Sequence, residues 1–295
     1  MKILSFGSLN YDHVYQVEHF VVPKETMSAD SYSRGFGGKG LNQSVAQARA
    51  GLEVYHAGRA GADGRPFVDF LESSGVRTEH LLLDGRSVSG HAIIEVCRGE
   101  NRILIFGGAN RQIDSAQIDR TLPDFGEGDI LVIQNEISSL PQLIRAAKGR
   151  GMKVFFNAAP MDSAVKDCPL ELVDTLCLNE IEGAALAEVS PDSPGDVAAA
   201  LHTKYPDVEI LLTAGEQGSW YMSREERCHM PARRFAAVDT TAAGDCYIGY
   251  YIAGRCMGRD IGGAMRLATC AAALAVQRHG AADSVPAIEE VLRNE

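Results

Sequence analysis

Ile130-Leu131-Val132-Ile133-Gln134-Asn135 is an apolar run closed by two amides, and Lys153-Val154-Phe155-Phe156-Asn157 repeats the pattern further along the chain. Between them, the stretch from Leu140 to Arg150 carries Leu143, Ile144 and Ala147 at helical spacing. A short strand apolar on both sides, a helix and a second such strand read as a βαβ unit, whose parallel strands lie buried beneath helices on both faces. Outward from this unit, Ile3 to Leu9, Val54 to Arg59, Thr175 to Leu178 and Glu209 to Thr213 repeat the buried-strand pattern. Leu41 to Ala50 places Leu41, Val45 and Ala48 on one helical face. The alternation predicts an α/β fold with a mostly parallel sheet sandwiched between helices.

Two stretches break the rhythm. Val14 to Phe20 alternates apolar and polar residues, while His91 to Cys97 and Arg102 to Phe106 flank the turn Arg98-Gly99-Glu100-Asn101 and read as a β-hairpin. A small separate sheet follows from this, with strands inserted at about residues 11–35 and 88–106. It reads either as a flap over a cleft or as an edge extension of the main sheet. No repeat, low-complexity tract or linker interrupts the chain, so residues 1–295 are read as a single domain, with Pro191 to Pro194 a surface loop.

Composition narrows the function. The chain has 295 residues, 45% apolar and 23% charged, values that exclude disordered and coiled-coil classes. A net charge of -11 argues against nucleic acid as a partner, although a lysine, a helix N-terminus or a divalent metal can still favour a small anion inside a cleft. Cys97, Cys168, Cys177, Cys228, Cys246, Cys256 and Cys270 are odd in number and contain no C-x-x-C pair, which points to reduced thiols in a cytoplasmic protein without structural zinc. The longest apolar run, Cys270 to Val276, is far short of the ~20 residues of a membrane span, and the first residues are too polar for a signal peptide. No membrane association is expected.

Arg34-Gly35-Phe36-Gly37-Gly38-Lys39-Gly40 precedes a helix and exposes backbone amides without Cβ obstruction. Ser33 and Gly40 stand where a Walker loop needs Gly and Ser or Thr, so that motif fails. Gly35, Gly37 and Gly40 satisfy G-x-G-x-x-G, but Met27 to Arg34 is polar and is no buried strand, so the dinucleotide context is missing. Alone, the loop reads as a tight turn with an exposed lysine. Near the C-terminus, Val238-Asp239-Thr240-Thr241-Ala242-Ala243-Gly244-Asp245 leads into the apolar helix Cys246 to Ala253. Asp245 there is either a helix cap or a carboxylate beside open amides that could receive a phosphate.

Together, Gly37-Gly38-Lys39-Gly40 with Asn42 and Asp239-Thr240-x-Ala-Ala-Gly-Asp245 resemble the two signature regions of the ribokinase-like (PfkB) carbohydrate kinase family. Gly7-Ser8-Leu9-Asn10-x-Asp12, Asn157-Ala158-Ala159-Pro160, Asn179-Glu180-x-Glu182, Thr213-Ala214-Gly215-Glu216-Gln217-Gly218 and the tail from Gly280 to Pro286 match further family motifs in order. The resemblance spans nearly the whole chain. It implies a three-layer α/β/α sandwich with a small β-sheet lid, and ATP-dependent phosphorylation of a sugar primary hydroxyl. Ribose at O5 leads, with another pentose, a sugar acid or a nucleoside as alternatives. A non-catalytic sugar sensor is a distant one.

Carried residue by residue, the resemblance makes Asp245 the base and the amides of Ala242, Ala243 and Gly244 an anion hole. It places Asn10, Asp12, Gly38, Lys39, Asn42 and Glu136 around the sugar hydroxyls. Thr213, Gly215, Gly218, Asn179 and Gly244 fall at the nucleotide, and Asn179 and Glu182 act on Mg²⁺ largely through water. Asp239, Thr241, Ala275, Arg278, Gly280 and Ser284 fall at a monovalent cation, K⁺. A homodimer joined through the lid strands is also implied. Read singly, Asn179 and Glu182 would be a capping box. Cys246-Tyr247, His91 on the lid hairpin and Cys270 near the expected adenine pocket depart from the usual pattern and leave the sugar open.

Overall fold

The computed structural model describes residues 1–233 and 235–295. The described residues form strands β1 (Ile3–Phe6), β2 (Asn10–Gln16), β3 (Ser31–Gly37), β4 (Val54–Gly61), β5 (Arg77–Asp84), β6 (Gly90–Cys97), β7 (Glu100–Phe106), β8 (Ile130–Gln134), β9 (Lys153–Asn157), β10 (Thr175–Asn179), β11 (Glu209–Thr213), β12 (Ser219–Met222) and β13 (Arg227–Met230). The helices are α1 (Lys39–Arg49), α2 (Arg65–Ser73), α3 (Ser115–Thr121), α4 (Leu140–Gly149), α5 (Ser163–Lys166), α6 (Glu180–Ala187), α7 (Pro194–Lys204), α8 (Ala243–Cys256), α9 (Ile261–Ala275) and α10 (Ile288–Asn294).

Nine strands make the central sheet in the order β13-β12-β11-β10-β9-β8-β1-β4-β5. From β11 to β5 every pairing is parallel, and β12 and β13 add an antiparallel edge. Successive side chains on a strand point to opposite faces, and two cores result. Ile130, Val132, Phe155 and Leu211 pack with α1, α2, α8, α9 and α10. Leu131, Ile133, Val154, Phe156, Ile210 and Leu212 pack with α3 to α7 on the other face. Burial on both faces is why these strands carry unbroken apolar runs, each large side chain contributing about 1.5–3 kcal/mol. The three-layer sandwich expected from the sequence is the architecture observed.

The irregular segments form a second sheet, ordered β3-β2-β6-β7. Three expectations shift in detail. The alternating strand placed at Val14 to Phe20 is β2, beginning at Asn10, because Asn10 pairs with both Gly37 and Gly90. The four-residue turn of the hairpin shrinks to Arg98 and Gly99, since Cys97 and Glu100 still pair. Both turn residues have positive φ (52° and 86°), the geometry that matches the twist of paired strands. Part of the polar segment before the Gly-rich loop, Ser31 to Arg34, is strand and runs on to Gly37 as β3, but β3 is mostly exposed and belongs to the small sheet, so no buried strand precedes the loop.

Candidate active site

Strand order reverses beside β1: the chain runs outward to β4 and β5 on one side and returns to β8 on the other. The carboxyl ends of β1 and β8 therefore open a crevice at a topological switch point, where α/β sheets bind ligands. Ser8 and Glu136 stand there, both buried. Ser8 Oγ donates to Glu136 Oε2, which also accepts the Lys39 amide at 3.0 Å, and the Gly40 amide donates to Ser8 Oγ at 3.2 Å. A Cβ on Gly40 would fall 2.3 Å from the Ser8 nitrogen, so only glycine lets α1 approach β1 this closely.

Helix α1 delivers Asn42 and Gln43 to Asp245. Asn42 Nδ2 donates to Asp245 Oδ2 at 3.0 Å, and Gln43 Nε2 donates to Oδ1 at 2.9 Å. Asp245 is the third residue of α8, the N-cap carries no side-chain cap hydrogen bond, and the Asp245 carboxylate is engaged by Asn42 and Gln43, so the capping alternative does not describe it. The N-cap is Ala242, a left-handed alanine with φ 60°. The Ala243 amide of the expected anion hole turns back to the Thr240 carbonyl at 3.2 Å. Among the described residues, the Gly244 and Asp245 amides have no acceptor, as in any unfilled first turn of a helix.

Three carboxylates surround one lysine. Burial opposes the Lys39 charge, but Asp245, Glu136 and Glu182 outweigh it and hold the ammonium's pKa above its ordinary value. Asp12 faces the same site from β2 and is pushed up to about 7 by burial, with Glu136 and Asp245 adding to the effect. Gly37 leaves room for it, since a Cβ there would lie 2.0 Å from Asp12 Oδ2. Asn10 is buried and its Oδ1 accepts from Asn110 Nδ2 at 2.9 Å, which leaves its own amide nitrogen for other partners. Gly38 caps α1 with φ 91°.

Two cavities meet at the start of α8. A cleft of about 270 Å³ is lined by Lys39, Asn179, Glu182, Ala242 and Asp245 among others. A larger cavity of about 820 Å³ is lined by Gly215, Gly218, Phe235, Tyr247, Thr269 and Val276 among others. Thr213, Thr240, Ala243 and Gly244 line both. Asn10, Asp12, Gly38, Asn42 and Glu136 lie outside the smaller cleft's lining and continue it from Lys39 and Asp245 toward the small sheet.

Asn179 and Glu182 do form the capping box: the Asn179 amide donates to Glu182 Oε2 at 2.9 Å and the Glu182 amide to Asn179 Oδ1 at 2.8 Å. They line the cleft as well, and burial raises the Glu182 carboxyl. Among the described residues, no group of three or more His, Cys, Asp or Glu is arranged to hold a metal. The oxygens offered here are few, a set that suits a cation keeping most of its own water.

Asp239 ties two loops together, accepting the Thr241 amide at 2.9 Å and the Gly280 amide at 3.0 Å. These hydrogen bonds overcome burial and hold its carboxyl below the usual range. Among the described residues, the carbonyls of Asp239, Thr241 and Gly280 have no donor, whereas the Ala275 carbonyl is taken by the Arg278 amide. The Arg278 side chain turns to Glu290, and Ser284 Oγ donates to the Ala281 carbonyl.

Two departures from the family pattern lie away from the sugar. His91 pairs with Tyr11, so it lies on the face opposite Asp12, and Ala92 is the β6 residue beside Asp12. Cys270 is buried behind the larger cavity, while its neighbour Thr269 lines it. Sequence reasoning missed Ser8 as a partner of Glu136, together with Gln43, Gln134 and Asn110. Their signals were present only as polar residues inside otherwise apolar elements.

The model of the pfkB family carbohydrate kinases matches residues 1–288. A ribokinase of Haemophilus influenzae is 30% identical over 97% of this chain and 95% of its own length, and a deoxyribokinase of Salmonella typhi is 31% identical over 98% and 97%. The structure of an Arabidopsis thaliana ribokinase complexed with ribose and ATP superposes with a TM-score of 0.88, at 27% identity over 99% of this chain and 97% of that one. With a crevice at the switch point, a buried carboxylate beside free helix amides and a family match over nearly the whole chain, the chain belongs to the pfkB family of carbohydrate kinases and is an ATP-dependent sugar kinase.

Proposed function

We propose that the enzyme transfers the γ-phosphoryl group of ATP to the primary hydroxyl of a pentose, with D-ribose giving ribose 5-phosphate. The observation that carries this reading is the junction of the two cavities at Thr213, Thr240, Ala243 and Gly244, directly beside Asp245. Phosphoryl transfer needs an acceptor and a donor meeting at one base and one set of donors for charge, and two cavities that share these residues beside Asp245 support that arrangement. The larger cavity takes the nucleotide along Thr213, Gly215, Gly218 and Gly244, and Asn179 approaches its phosphates from the smaller cleft. The smaller takes the reacting end of the sugar, with Asn10, Asp12, Gly38, Lys39, Asn42 and Glu136 engaging its hydroxyls.

Asn42 supports this assignment, since its Oδ1 is buried without a partner and can accept from a hydroxyl. Asp245 accepts the proton as the sugar oxygen bonds to phosphorus and the bond to the ADP oxygen breaks. The amides at Ala242 to Gly244 offset the charge on the transferring group, and among the described residues those of Ala242 and Gly244 are unengaged. Asn179 and Glu182 are the residues that would hold the hydration shell of Mg²⁺, which offsets phosphate charge when bound. The carbonyls near Asp239, Thr241 and Gly280 suit K⁺, with Ala275, Arg278 and Ser284 shaping the loop behind them.

The same reading includes a homodimer through the small sheet, lid-like movement of that sheet over residues 11–35 and 88–106, and a cytoplasmic location consistent with seven free cysteines. Among the described residues, no helix is long and apolar enough to cross a membrane. Deoxyribose is the second substrate reading, favoured by the deoxyribokinase relative. An ATP-consumption screen over ribose, deoxyribose, hexoses, sugar acids and nucleosides tests the choice. The highest kcat/KM is expected for ribose, and a tenfold preference for any other acceptor overturns it.

A further inference from the structure

We propose that Gln43, oriented by Gln134, is a positioning residue that anchors Asp245 Oδ1 and so leaves Oδ2 as the oxygen that takes the sugar proton. The proposal rests on Asp245 being the base. Both glutamines are fully buried. Gln134 Nε2, at the end of β8, donates to Gln43 Oε1 at 2.7 Å, and Gln43 Nε2 donates to Asp245 Oδ1 at 2.9 Å. The direction of this chain is forced by chemistry. An ionised carboxylate only accepts, so Gln43 must turn its NH₂ toward Asp245 and its oxygen away, and Gln134 must then present its own NH₂ to that oxygen.

The far end of the chain, Gln134 Oε1, is buried with no partner, so nothing competes for the relay's direction. Glycine at position 7 makes space for it, because a Cβ there would lie 2.5 Å from Gln134 Oε1. Three elements, β8, α1 and α8, are thereby tied to one carboxylate oxygen. The two oxygens of Asp245 differ in what surrounds them. Oδ1 is held by a residue sealed in the interior, whereas Oδ2 is held by Asn42, whose second polar atom is unpartnered. A sugar hydroxyl can share or replace the Asn42 contact, but it cannot replace Gln43.

The experiment measures kcat, both KM values and the pH dependence of kcat for Gln43→Met and Gln134→Met in the full chain. Gln43→Met keeps the volume and removes the donor. Its kcat is expected to fall about 10- to 100-fold, the scale of a misplaced reacting group, with KM for sugar and ATP within about threefold. The acid limb of kcat moves to higher pH, because a carboxylate deprived of a donor holds its proton more tightly. Gln134→Met, which touches no atom of Asp245, shifts the limb the same way by less, and decides the matter alone if Gln43→Met does not fold. In an Asp245→Asn background, Gln43→Met costs no more than about a further twofold.

Limbs unmoved in both variants, or a full additive loss in the Asp245→Asn background, overturn the positioning role. Near-normal turnover by Asp245→Asn would instead overturn the base assignment, and this proposal with it. The two failures are distinguished by that single variant.

Discussion

Asp12 shows how one residue's setting becomes a measurable property of the whole protein. Burial first, then the charges of Glu136 and Asp245, lift its carboxyl from 3.8 to about 7. Between those values the folded protein keeps a proton that the unfolded chain has released. Stability is therefore at its full value below the window, where Asp12 is neutral in both states, and is lost progressively as pH rises toward 7. Asp12→Asn removes that penalty, so its Tm is expected to exceed the unsubstituted protein's at pH 8, with the gain vanishing near pH 4. An equal gain at both pH values would show that the charge of Asp12 is not the cause. The sequence marks Asp12 by its place in Gly7-Ser8-Leu9-Asn10-x-Asp12, but its raised carboxyl depends on Glu136 and Asp245, far away in the chain. The same holds for Gln43 and Gln134, whose partners are separated by 202 and 91 positions.

At the scale of elements, legibility followed burial. β8, α4 and β9 were readable because a parallel strand under two helical layers is apolar on both faces, and their bounds barely move. β5 was not read, since Arg77–Asp84 is an edge strand with charged residues among its apolar ones. β12 and β13 are four residues each, too short for alternation to register. The loop at Asp239 was readable by its motif, while its linkage to Gly280 depends on contact across the fold. Because Asp239 joins that loop to the segment leading into α8, a cation held by nearby carbonyls would steady the Ala242 to Gly244 amides. Turnover at saturating Mg²⁺, ATP and sugar is expected to be higher in millimolar K⁺ than in Na⁺ or tetramethylammonium at equal ionic strength. Asp239→Ala should lose most of that response. Equal rates in the three salts would remove the cation while leaving the kinase standing.

For the molecule as a whole, β7 is the edge that governs assembly in the proposed dimer. All seven of its residues are exposed, and Ile103, Leu104, Ile105 and Phe106 remain 54%, 69%, 47% and 53% accessible. Alternation along a strand puts Ile103 and Ile105 on the face shared with Asp12, and Leu104 and Phe106 on the face shared with His91. An edge strand that meets only water usually carries charge, proline or a bulge to prevent pairing, yet this one is apolar on both faces at its end. In the proposed homodimer, the same sheet of a second copy would bury those side chains, and sugar binding would then depend on assembly if the small sheet serves the site. Sedimentation at micromolar concentration is expected to show a dimer. Leu104→Glu combined with Ile105→Glu should give a monomer with KM for sugar raised about tenfold or more and KM for ATP changed far less, since the nucleotide cavity lies at α8 and α9. A monomeric unsubstituted enzyme, or a dimer unaffected by the two charges, would place the second copy elsewhere or remove it. If the variant is monomeric with an unchanged KM for sugar, the small sheet joins two copies without serving the site.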